Sequence, residues 1–218
     1  MPQSSEVSGS DLLSALNRKR RLFILLPPIL VAIEYPLFHA LGATLDQGWR
    51  LGWFLGLALY WVTWCTIVPL VLVGRGDLAR LLKLHRPNAK LLAILAFPLV
   101  MAALFRLGTG MEYEKLGTVA TGIVLSSAFG NGFFEELLWR GTSLHLFPRS
   151  RFFGIVWPSL WFALWHFAPG SVSPSGNAVA LVIGSAFFGF YLSFLSRRTG
   201  GVGWCVIAHT LGGLVMVA

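Results

Sequence analysis

The sequence predicts an all-α, polytopic transmembrane helix bundle of about seven spans, six to eight at the limits, with a basic amphipathic cytoplasmic connector. Two observations carry this. Of 218 residues, 56% are hydrophobic and 12% charged, with a mean hydropathy of +0.71, a balance outside that of ordinary soluble domains. The apolar residues also fall in long runs that leave no polar face at helical period. At about 20 residues per crossing, the length admits roughly seven spans and no soluble domain beside them. The formal net charge of +8 comes from short basic groups scattered between apolar runs, which reads as membrane orientation and excludes a nucleic-acid partner. Cys65 and Cys205 lie inside apolar runs and imply neither a disulfide framework nor a zinc cluster. Both read as buried thiols, and Cys205 shows no activating surroundings for a nucleophile.

Residues 1–17 form a serine-rich polar tail, and residues 18–218 one transmembrane domain. The basic group Arg18 to Arg21 precedes a first span at about Leu22 to Leu41, with no cleavage site and with Pro27, Pro28 and Pro36 implying a kinked helix. Glu34 and His39 within it read as helix-paired or snorkelling groups, with a second polar site as the alternative. The second span runs about Leu51 to Val73, its tryptophans forming an interface belt. Arg75 to Lys90 alternates leucines with cations and is the amphipathic connector, its leucines in lipid and its charges at headgroups, with His85 solvated. A short third span, Leu91 to Phe105, contains Pro98. The fourth begins near Leu116 and continues past Gly130-Asn131-Gly132 toward Phe147, too long for one tidy span, the glycines marking a kink or break. The fifth is Phe152 to about Phe167, the sixth Ala178 to Ser196 with Gly184 and Gly189 available for close helix contact, and the last Gly201 to Ala218.

Positive charge alternates across the spans. Arg18 to Arg21, Arg75 to Lys90, Arg149 with Arg151, and Arg197 with Arg198 fall on one side. The opposite loops carry Asp46 with Arg50, then Arg106 with Glu112, Glu114 and Lys115, and finally no charge over Ala168 to Asn177. The positive-inside rule then puts the N-terminus in the cytoplasm.

Asn131-Gly132-Phe133-Phe134-Glu135-Glu136-Leu137-Leu138-Trp139-Arg140-Gly141 places two acids and an arginine in an apolar run. At about 2.5–3.5 kcal/mol each even on a lenient insertion scale, such groups invite a functional reading. Glu136 and Arg140 are an i, i+4 pair that can neutralise one another, and Glu135, turned about 100° away, is free to face another helix. At about 1.5 Å per residue, the acids lie roughly 15 Å from the cytoplasmic end, His166 roughly 21 Å and His209 roughly 12 Å, so all converge near one depth. A carboxylate beside a histidine can take a proton from water, and the histidines can hold a metal, polarise a carbonyl or stabilise an oxyanion. Structural interhelical hydrogen bonds and a proton or ion path remain the other readings of the same residues. His145, at the cytoplasmic edge of this span, reads as an interface residue.

Glu135-Glu136-Leu-Leu-Trp-Arg140, then Phe162-Ala-Leu-Trp-His166, then His209 resemble the motif series of the CAAX prenyl protease 2 and bacteriocin-processing (CPBP, or Abi) family of intramembrane proteases. The resemblance covers the C-terminal half, a motif-bearing core at about 116–218. It implies a metallo- or glutamate-dependent endopeptidase in which Glu135 activates water, His166 holds that water and His209 serves the oxyanion or a metal. Glu136 and Arg140 match the remaining acid and arginine of the first motif. A divalent metal such as zinc, if used, would take Glu135, His166 and His209. One position departs: where the family usually has Asn or Asp, this chain has Gly213, and Asn131 and Thr210 are nearby polar residues. The expected function is hydrolysis of a peptide bond in a membrane-anchored protein or peptide, prenylated or C-terminally anchored, in a bacterial inner membrane. The alternative is a non-proteolytic membrane protein of the same fold, an immunity-type interaction protein or a proton-coupled carrier. Beyond substrate and bilayer, nothing in the sequence specifies an oligomeric state.

Overall fold

The computed structural model describes residues 9–45, 51–109, 118–172 and 178–217. Among these the regular structure is entirely helical. The helices are α1 (Gly9–Thr44), α2 (Leu51–Leu72), α3 (Arg75–Leu81), α4 (Ala89–Thr109), α5 (118–146), α6 (152–171), α7 (Ala178–Thr199) and α8 (Gly203–Val217). Among the described residues the bundle is therefore all-α, with its helices in the expected order and α3 as the short connector helix. Segments of α1, α2 and α7 are long and apolar enough to cross a membrane, and the chain is an integral membrane protein. Ile29, Val71 and Phe187 stand exposed on their outer faces, where lipid is their natural solvent.

Several local expectations change. α1 begins at Gly9, inside the stretch read as a polar tail, and runs through Pro27, Pro28 and Pro36 without a break. α4 is longer than the span expected there. The connector is not laid in lipid. Leu78 is buried, and Leu81 and Leu82 pack against a core formed by Leu137, Leu195, Val202 and Cys205. The Val202 N–H donates to the Leu81 carbonyl at 2.7 Å, so the connector is hydrogen-bonded to the start of α8. Of its leucines, Leu84 remains exposed. An amphipathic pattern fixes which face is apolar, and here protein, not lipid, covers most of it. Residues 1–8 of the tail, Asp46, Trp49, Arg50, Glu112, Glu114, Lys115 and residues 173–177 lie outside the described residues.

Three stretches, Trp61–Ile67, Asn131–Gly141 and Phe152–Val156, widen into π-helical turns. Two have an adjacent cause. Pro69 and Pro158 follow them, and a proline lacks the N–H and displaces the carbonyl four residues before it; those carbonyls belong to Cys65 and Gly154, inside the widened turns. The third has no proline. There the glycine-flanked sequence widens without breaking: the Thr142 N–H reaches back five residues to the Leu137 carbonyl, so the expected break at Gly130–Gly132 is a continuous, wider helix.

Candidate active site

Widening at Asn131–Gly141 carries both acids of α5 inward. Glu135, Glu136 and Arg140 are fully buried, and π turns of this kind recur at functional sites. The expected pair forms: Arg140 Nη1 lies 3.0 Å from Glu136 Oε1, with both side chains sealed from solvent. Arg140 Nη2 also donates to the Gly189 carbonyl on α7 at 3.3 Å, and its guanidinium stands 4.1 Å above the Phe162 ring. Gly189 is the glycine this needs. A Cβ there would stand 3.0 Å from Phe162 Cδ1 and 3.3 Å from Arg140 Nη2. Gly184, the other glycine expected at a helix contact, has open space around it.

Glu135 is not separated from its neighbour as the ideal 100° step implies. His209, on α8, stands between the two acids: its Nδ1 lies 2.8 Å from Glu136 Oε1, and its Nε2 3.7 Å from Glu135 Oε2. The other Glu135 oxygen, Oε1, accepts the indole N–H of Trp165 at 2.9 Å. Oε2 has no protein hydrogen-bond partner. Such a buried, unpaired carboxylate oxygen costs stability and calls for a chemical reason. A separation of 3.7 Å is too long for a direct bond and is the kind of gap that water bridges.

His166 ends the main helical part of α6. Its Nδ1 lies 2.7 Å from the Phe162 carbonyl; a carbonyl can only accept, so Nδ1 carries the proton, and Nε2 of a neutral ring is an acceptor. Phe162 lies against both imidazoles, with ring centroids 4.6 Å from His166 and 6.1 Å from His209. Glu136 thus contacts Arg140 and His209 directly, with Glu135 beside His209, while His166 is linked to this group through Phe162, whose ring lies against both imidazoles. Among the described residues no three His, Cys, Asp or Glu side chains are grouped to hold a metal; Nδ1 of His166 and of His209 is bonded within the protein.

The position of Gly213 has a packing explanation. A Cβ on Gly213 would stand 3.0 Å from the Ala128 Cβ, and a Cβ on Gly132 would collide with Thr210. Ala128 and Gly132 are thus a small-xxx-small pair on α5 against which α8 lies closely. That approach brings His209 to the acids and makes any side chain at 213 crowd Ala128. Asn131 is committed elsewhere, its Oδ1 accepting the Trp61 indole N–H at 2.9 Å. Glu34 is buried and paired with Trp64, whose indole N–H donates to Oε1 at 2.7 Å, while His39 meets Ser171 at 3.1 Å. His145 faces Asp77 of the connector at 3.8 Å. Cys65 and Cys205 are buried and free, Cys205 lying 3.4 Å from the Leu192 carbonyl.

Sequence reasoning missed Trp165 and Tyr60. The signal for Trp165 was its indole N–H, which needs an acceptor when buried, one residue before His166.

Residues 117–215 match the family model for type II CAAX prenyl endopeptidases, Rce1-like. The match agrees with the CPBP resemblance, spans just under half the chain and contains all five expected site residues. Neither a curated protein nor a solved structure matches the chain.

Proposed function

We propose that this integral membrane protein, whose residues 117–215 match the Rce1-like endopeptidases, hydrolyses a peptide bond in a membrane-anchored substrate with Glu135 as the base that activates water. The observation that carries this reading is Glu135 itself: buried, with one oxygen held by Trp165 and the other unpaired, 3.7 Å from His209 Nε2. Water between those two atoms gives a proton to Oε2 as its oxygen adds to the carbonyl carbon. His166 Nε2 accepts the second water hydrogen and so fixes its orientation. His209, when protonated, donates from Nε2 to the oxyanion. Collapse of the tetrahedral adduct breaks the C–N bond, and the proton on Glu135 passes to the leaving amine. Glu136 and Arg140 hold His209 and α7 in register. No step of this scheme passes through a metal.

The family description favours a lipidated C-terminal tail as substrate. The basic groups at Arg18–Arg21, Arg75–Lys90, Arg149–Arg151 and Arg197–Arg198 favour a cytoplasmic N-terminus, and a bacterial inner membrane is the proposed setting. The test is reconstitution in proteoliposomes with a prenylated peptide ending in a CAAX sequence, its unprenylated counterpart and a leader-type membrane peptide. A single cut in the prenylated tail, read by mass spectrometry, is expected. No cut in any peptide, together with proton movement across the vesicles, would replace this reading with the carrier.

A further inference from the structure

Tyr60 lies outside the segment that matches the family, in α2, yet it stacks face to face on Trp165, with ring centroids 3.8 Å apart and planes 21° apart. Phe38 of α1 closes another side of the indole, edge-on at 5.7 Å. The Tyr60 hydroxyl accepts the Trp139 indole N–H at 2.8 Å, which ties the ring back to α5 four residues beyond Glu135. Tyr60, Phe38, Trp139 and Trp165 are all buried. The result is a closed loop of contacts: Glu135 to Trp165 by hydrogen bond, Trp165 to Tyr60 by stacking, Tyr60 to Trp139 by hydrogen bond, and Trp139 to Glu135 through one helix.

We infer that Trp165 is a positioning residue for Glu135, and that Tyr60 of the N-terminal half completes the site by holding the indole. This rests on the proposed function above. A carboxylate can rotate and present either oxygen. With Oε1 tied to an indole that cannot itself turn, Oε2 is the oxygen presented to water, on the side of His209. Trp is suited to this because its N–H only donates and is never a competing base, and its two-ring face offers Tyr60 a broad surface to lock. The N-terminal helices are then part of the catalytic apparatus and not only a membrane frame.

The test has two arms. In the first, the protein is labelled with 15N at its tryptophan indoles, and the Trp165 N–H signal is assigned by its loss in Trp165→Phe. Glu135→Ala should move that signal upfield, and Tyr60→Leu should broaden or shift it; an unmoved signal in Glu135→Ala overturns the inference. In the second arm, Trp165→Phe should lower kcat by roughly 10–100-fold with KM unchanged, the loss expected when a reacting group is misplaced. Trp161→Phe, one turn earlier on α6, should leave both constants as they are, and Tyr60→Leu should fall further than Tyr60→Phe, which keeps the stacking face. Benzothienylalanine at position 165, bicyclic but without the N–H, should behave as Trp165→Phe does; activity within threefold of wild type in both overturns the positioning role. If the wild type cleaves no substrate, the protease reading fails, and the indole signal alone decides whether Trp165 holds Glu135.

Discussion

His209 joins two carboxylates that the sequence sets side by side, its Nδ1 2.8 Å from Glu136 and its Nε2 3.7 Å from Glu135. One contact fixes the ring, and the other leaves room for a water. His209→Gln keeps a polar group near Glu136 and removes the ring nitrogen that faces Glu135. It should lower kcat by about 100-fold, in the range of a lost oxyanion donor, with little change in KM. Steady-state kinetics on the reconstituted enzyme decide this.

Glu136 and Arg140 should matter first for stability. Removing one member of a buried pair leaves the other charge uncompensated, at about 3–5 kcal/mol. Arg140→Met should therefore unfold at markedly lower denaturant in detergent. Glu136→Gln combined with Arg140→Met should be less damaging than the sum of the single changes, because the two groups are in direct contact.

The departure at Gly213 leads to a prediction opposite to the one the resembling family's pattern suggests. Restoring the usual amide by Gly213→Asn should not raise activity. With the Ala128 Cβ 3.0 Å from where a Cβ would sit, it should push α8 from α5, cost about 1–3 kcal/mol as overpacking does, and draw His209 away from the acids. Gly213→Ala should show a milder loss, partly recovered by Ala128→Gly. Thermal unfolding and cleavage rates, measured together, check this.

The legible part of the site was its charge. The pairing of Glu136 with Arg140 at i, i+4 follows from helical spacing alone, and the approach of His209 to both acids agrees with the depths that helical rise assigns them. Two things were not legible. Hydropathy counts Trp165 as apolar and is blind to the N–H that reaches Glu135. Likewise, the alternation of Leu78, Leu81 and Leu82 with cations is the same whether lipid or protein covers the leucines; only the bond from Val202 to Leu81 distinguishes them. Gly213 belongs with these, since its meaning depends on Ala128, far away in sequence.

Metal chelation should leave the rate unchanged. Among the described residues no three His, Cys, Asp or Glu side chains are grouped to hold an ion. Cleavage in the presence of 1,10-phenanthroline, against an untreated control, measures this; loss of activity restored by zinc would show that the donors rearrange around an ion.

The central claim is that Glu135 takes the proton from water. Glu135→Gln preserves the volume and retains an oxygen that can accept the Trp165 N–H, but removes the base. Cleavage of the prenylated peptide in proteoliposomes should fall by about a thousandfold, while the unfolding midpoint and the Trp165 indole signal stay close to wild type. Cleavage within tenfold of wild type by a correctly folded Glu135→Gln would contradict the account.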